Sequence, residues 1–208
     1  MSQVNRLELA AQVARVREVL VEGAELRRAF ADVMAERVAE AAVRVAASFA
    51  NGGKLLLFGN GGSAADAQHI AAEFVNRYVD ERPALPALAL TTDTSALTSI
   101  GNDRGYDEVF ERQVEAWGAA GDVAIAISTS GKSESVLRGV RACRERRVFT
   151  IGLTGGGGGP LGSAVDLLID VGATKVTARI QEIHIAVGHV ICELVETQLA
   201  ARAVVAVP

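Results

Sequence analysis

The chain predicts an α/β fold: a five-stranded parallel sheet covered by helices, with a helical arm at the N-terminus. Three observations carry this. From residue 51 onward, short apolar runs alternate with longer segments of helical rhythm. The runs are apolar throughout, as strands buried on both faces require. Residues 5–50 hold no proline and a single glycine, Gly23, so they read as helix.

Taken in order, the arm reads as two helices, 5–22 and 25–50, parted at Gly23. Leu20, Val21, Ala24 and Leu26 mix with Arg and Glu at near-helical spacing, so an apolar stripe for core or subunit contacts is expected. Strands follow at 55–58, 87–90, 123–127, 148–153 and 167–171. Helices are expected at 63–78, 94–101, 107–117, 132–146, a short piece near 160–164, and a long last helix over 178–203. Asp93 or Thr94 is placed to cap the helix after the second strand, and Ser130 or Ser133 the one after the third. No repeat or linker interrupts the pattern, so residues 1–208 read as one domain, with 1–50 as the arm and 51–208 as the α/β core.

Composition narrows the function. Half of the 208 residues are hydrophobic but only 4% are aromatic, so Ala, Val, Leu and Ile must build the core. A net charge of −4 offers no attraction to nucleic acid or an anionic membrane. No apolar run reads as membrane-spanning. The first residues, MSQVNRLELAAQ, lack the basic-then-apolar pattern of a signal peptide. Cys143 and Cys192 stand far apart without metal-motif spacing, and reduced thiols in the cytoplasm are expected.

In open parallel sheets, ligands sit beyond the carboxyl ends of the strands near a switch in strand order. The loop after the first strand, Gly59-Asn60-Gly61-Gly62-Ser63, opens into a helix carrying Asp66, His69 and Glu73. It is neither a dinucleotide fingerprint nor a P-loop, but a helix start of this kind presents backbone N–H groups to an anion. A plain strand-to-helix turn has the same composition. The loop after the third strand, residues 128–133, packs the hydroxyls of Ser128, Thr129, Ser130 and Ser133 into six residues. Capping a helix takes one or two of these, so a second anion cradle is expected, with Lys132 solvated. Gly101-Asn102-Asp103-Arg104 reads as a turn. His69 and Glu73, four apart, share a helix face and suit a metal ion or proton transfer. The last helix carries Gln181, His184 and His189. Spacing alone leaves the two histidines open and favours His184, three residues from Gln181. The five glycines at 155–159 read as a flexible loop rather than a lid.

These residues together resemble the SIS (sugar isomerase) domain family, and within it the phosphoheptose isomerases. The resemblance rests on GNGGSAADAQHIAAEF (59–74), RPALPALALTTDTSALTSIGNDRGYDEVF (82–110), AISTSGKS (126–133) and ARIQEIHIAVGHVICELVE (178–196). It implies a flavodoxin-like three-layer sandwich and a homotetramer with active sites between subunits, the arm helices serving the oligomer. It implies conversion of D-sedoheptulose 7-phosphate to D-glycero-D-manno-heptose 7-phosphate through an enediol(ate). Ser63, Ser128, Thr129, Ser130 and Ser133 would hold the phosphate, and Asn60, Gly61, Gly62, Asn102 and Asp103 would line the sugar site. One zinc ion per site would match His69, Glu73, Gln181 and His189, with Glu73 and His189 as the acid/base pair. The resemblance thus selects His189 over His184. Some family members carry Asp where this chain has Ala178, so that side chain's role does not transfer. The same family includes non-catalytic proteins that bind the bacterial replication initiator. Those typically lack the residues matching Glu73 and His189, and both are present here.

Overall fold

A single helix, α1 (Gln3–Ala50), leads into the sheet, and residues 3–205 are described by the computed structural model. The expected break at Gly23 does not occur. One interior glycine costs a helix only about 1 kcal/mol, too little to end it. Gly23 instead makes room for the last helix: a side chain there would lie 3.1 Å from Glu182 Oε2. Arg179 Nη1 donates to the Val19 carbonyl beside it.

The strands are β1 (Leu55–Gly59), β2 (Ala87–Ala89), β3 (Val123–Ser128), β4 (Phe149–Gly155) and β5 (Leu167–Val171). All pair in parallel in the order β2-β1-β3-β4-β5, with Leu57 beside Ala89 on one side and Ile125 on the other. The helices are α2 (Gly62–Val75), α3 (Thr94–Asp103), α4 (Val109–Trp117), α5 (Glu134–Glu145), α6 (Gly159–Ala164) and α7 (Thr177–Val205). A 3₁₀ turn at Tyr106–Glu108 precedes α4.

The period of two along each strand sorts the core into two layers. Leu55, Leu57, Ile125, Ile127 and Ile151 pack with Val45 of α1, Ile70 and Phe74 of α2, and Ile183 and Ile191 of α7. Leu56, Phe58, Ala124 and Ala126 face Phe110 of α4 and Val136 and Val140 of α5. Burying each large apolar side chain stabilises by about 1.5–3 kcal/mol. The result is the three-layer, flavodoxin-like sandwich expected, with the order switch between β1 and β3.

Helix α7 is long and apolar enough, by length and composition, to cross a membrane, contrary to the reading of the sequence. Its buried face packs on the sheet and on α1 and α2 instead. The five-glycine run also differs from expectation. Gly155 closes β4, Gly156–Gly158 are left-handed, and Gly159 opens α6. The run lies backbone to backbone against the serine loop, where a side chain on the left-handed Gly131 would collide with the Gly158 carbonyl. Asp170 anchors it, accepting from Gly157 N–H at 3.0 Å and from the Thr154 hydroxyl at 2.9 Å. The glycines give close approach rather than slack.

Candidate active site

The loops after β1 and β3 meet at the switch point. Asn60 joins them: its Nδ2 donates to Ser133 Oγ at 2.7 Å and to Ser135 Oγ at 3.0 Å. Its Oδ1 accepts from the Tyr106 hydroxyl at 2.8 Å. Asn60, Ser63, Ser128, Thr129, Ser130 and Ser133 line a cavity of about 200 Å³. A neighbouring cavity of about 290 Å³ shares Thr129 and Ser130 and reaches Lys132, Lys175 and Thr177. Ser133 occupies the capping position of α5, yet its hydroxyl makes no cap and faces Asn60 and Ser135. Asp93, by contrast, caps α3 as expected, accepting from Ala96 N–H at 2.9 Å. Lys132 is exposed and joins no ion pair among the described residues.

The start of α2 is less open than a bare helix end. Ser63 N–H donates to the Asn60 carbonyl and Ala64 N–H to the Gly61 carbonyl, each at 3.0 Å. Gly62 leaves room for α7, since a side chain there would strike the Gln181 amide. Two to three turns further on, His69, Glu73 and His189 converge. Their ligating atoms lie within 4.8 Å of one another, a group suited to holding a metal ion. His69 Nε2 is 2.8 Å from His189 Nε2 and 3.3 Å from Glu73 Oε1. The Tyr78 ring stacks on His189, centroids 5.6 Å apart. Asp66, one turn before His69, is pushed up by burial and pulled down by His69, with a net rise; its Oδ2 is buried without a partner.

His184, which spacing favoured, lies elsewhere. It is fully buried, and its Nε2 donates to the Thr154 carbonyl of β4 at 2.9 Å. Burial holds it below the usual histidine range, so it stays neutral in the core. Three residues from Gln181 turns it toward the sheet; eight residues brings His189 back to α2. Asn102 and Asp103 are exposed at the end of α3 and bond each other, Nδ2 to Oδ1 at 2.8 Å. The structure does not draw their side chains onto the cradle. Ser135, Tyr106 and Tyr78 were not expected in the site. Ser135 follows the serine run by two residues, but nothing local marks Tyr106 or Tyr78, whose partners lie 46 and 111 residues away. Cys143 and Cys192 are buried and unpaired, and burial pushes both thiols up to about 12, which leaves them inert.

Residues 20–155 match the SIS domain family model, a span that ends before α7. The phosphoheptose isomerase of Roseiflexus sp. (strain RS-1) is 56% identical over 84% of this chain and 88% of its own length. The chain belongs to the phosphoheptose isomerase family. The family member of Aquifex aeolicus is 50% identical over 90% of this chain and 98% of its own. Among solved structures, the phosphoheptose isomerase of Neisseria gonorrhoeae superposes with a TM-score of 0.83 at 43% identity, covering 89% of this chain and 99% of that one. That of Francisella tularensis gives 0.85 at 33% identity, over 89% and 98%. Membership makes this chain an isomerase, and the non-catalytic initiator-binding reading is not favoured.

Proposed function

We propose that this isomerase converts D-sedoheptulose 7-phosphate to D-glycero-D-manno-heptose 7-phosphate. The observation that carries the reading is the meeting of Glu73, on the helix α2 that begins at the hydroxyl cradle, with His189 of α7. At about 1.5 Å per residue, His69 and Glu73 lie roughly 9 and 15 Å along α2 from Ser63. That separation sets the acid/base pair apart from the phosphate cradle.

The hydroxyls of Ser63, Ser128, Thr129, Ser130 and Ser133 hold the phosphate, backed by the N-termini of α2 and α5. Asn60, Gly61, Gly62 and Gln181 line the path of the sugar chain, with Asn102 and Asp103 as the further sugar-site residues that the resemblance implies. Glu73 and His189 act as the acid/base pair. One removes a proton from C1 of the ketose, the other returns a proton to C2, and a hydroxyl proton passes from O1 to O2. The intermediate is an enediol(ate), and atoms and charge balance.

The cluster fits zinc by its donors: two imidazole nitrogens and a carboxylate oxygen. The two Nε2 atoms, 2.8 Å apart, are close enough to share one cation. His69, Glu73 and His189 would hold the ion, with Gln181 as the fourth donor the resemblance implies. When bound, zinc supplies Lewis-acid polarisation of the substrate oxygens.

The arm supports a homotetramer with active sites between subunits. Leu7, Val16, Leu20 and Val33 of α1 are exposed, and an apolar groove of about 390 Å³ runs between α1 and α7 past Phe30, Val38, Val187 and Leu194. We read the chain as one domain of the cytoplasm, where its unpaired thiols stay reduced. The test is turnover of sedoheptulose 7-phosphate by purified protein, followed by NMR of the sugar and paired with metal analysis. Heptose 7-phosphate formation that chelation suppresses and zinc restores is expected. No turnover with zinc present overturns the reading.

A further inference from the structure

Behind the acid/base pair lies a buried ion pair that belongs to neither the cradle nor the metal-binding cluster. Arg82 Nε donates to Glu196 Oε1 at 2.8 Å, with side chains 11% and 4% exposed. Each partner also holds backbone that serves the site. Arg82 Nη2 donates to the Glu73 carbonyl at 2.7 Å and Nη1 to the Phe74 carbonyl at 2.8 Å. These are carbonyls of the last turn of α2, which no helical N–H reaches. Glu196 accepts the N–H groups of Tyr78, Val79 and Asp80 at 2.9, 3.2 and 3.3 Å. Burial pushes the Glu196 carboxyl up, but these bonds and Arg82 outweigh it and hold it below the usual range. This clamp ends α2 at Val75, three residues before its apolar rhythm stops, and turns Tyr78 back onto α7.

The consequence falls on His189. The Tyr78 ring lies on one face of the imidazole, with an interplanar angle of 27°. The His69 ring meets it edge-on, at 73° with centroids 5.1 Å apart. An imidazole turns broadly about its second torsion. These two rings fix the plane of the imidazole, and in that plane His189 Nε2 lies 2.8 Å from His69 Nε2.

We propose that Tyr78 is a positioning residue: its ring orients the His189 imidazole, and the Arg82–Glu196 clamp anchors that ring and the turn bearing Glu73. The inference rests on His189 being one of the acid/base pair. A ring face is what matters, because the Tyr78 hydroxyl makes no hydrogen bond among the described residues.

Two variants separate orientation from bulk stability. Tyr78→Leu removes the ring and keeps apolar volume; Tyr78→Phe keeps the ring. Misplacing a catalytic group by about 1 Å costs about a hundredfold, so Tyr78→Leu should lower kcat roughly ten- to a hundredfold with KM within about twofold. Tyr78→Phe should restore wild-type kcat. The deciding readout needs neither turnover nor metal. In full-length chelated protein with ring-labelled histidines, the NOE between the His69 and His189 rings should vanish in Tyr78→Leu and persist in Tyr78→Phe. An undiminished NOE in Tyr78→Leu overturns the proposal, as does equal loss in both variants. If the wild type fails to turn over the heptulose phosphate, the acid/base reading falls, and the NOE comparison still decides whether Tyr78 orients His189.

Discussion

The hydroxyl cradle and the histidine–glutamate cluster share helix α2 and are built in opposite ways. In the cradle the chain ties its own polar groups together: Asn60 alone bridges Ser133, Ser135 and Tyr106. In the cluster three lone-pair donors, His69, Glu73 and His189, point at one another. The cradle's polar groups are already tied to one another in the fold. The cluster gathers ligand atoms from two helices within 4.8 Å of one another, a group suited to a cation. Preorganised hydrogen bonding suits binding, and crowded lone pairs suit chemistry.

Kinetics should split along the same line. Removing half of the acid/base pair, by Glu73→Gln or His189→Ala, should lower kcat about 10²- to 10⁴-fold, the usual span for general acid–base catalysis. KM should move little, because the cradle is untouched. Steady-state rates on sedoheptulose 7-phosphate measure this, and a variant with full turnover breaks the comparison. Ser133→Ala should do the reverse. A hydrogen bond to a charged group is worth about 1.5–3 kcal/mol, so KM should rise roughly ten- to a hundredfold with kcat nearly constant.

How far these two regions were legible in the sequence differs as well. Apolar runs and glycine breaks are local, so all five strands, the hydroxyl loop and the His69–Glu73 pair could be read directly. Where long-range bonds decide, local reading went astray. Gly23 looked like a helix break, but its space is filled by Arg179 and Glu182 from the far end of the chain. Helix α2 stops early because Arg82 and Glu196 take its last carbonyls and the N–H groups beyond. His184 outranked His189 on spacing from Gln181, yet the face of α7 that meets α2 was set by packing, with Gly188 against Ile70. The family resemblance, not periodicity, selected His189.

His184 gives a smaller test of the same distinction. Burial lowers its folded pKa below its unfolded value, so the folded state resists protonation. Its stabilising contribution is therefore complete above about pH 6.5 and is lost as pH falls through the folded value, by up to about 1.4 kcal/mol per pH unit. Thermal melting of the wild type should decline as pH falls below about 6.5, and His184→Gln should flatten that decline. If the two profiles run parallel, His184 is not a neutral core residue. The smallest effect belongs to Lys132. It is exposed at the cradle's rim, so Lys132→Ala should change KM by no more than about threefold, in keeping with weak surface charges. A larger rise would move Lys132 from solvent into the phosphate site.

Asn60 also sets a schedule for the protein's assembly. Its three partners lie 46, 73 and 75 residues downstream. No nascent chain that ends before Ser135 can close the cradle. The pocket is thus a late product of synthesis, formed only after β3 has docked beside β1 and the loop-closure entropy of that long excursion has been met. Competence to grip a phosphate waits on the pairing of β1 with β3, so a chain that fails to pair them would betray itself by its failure to bind.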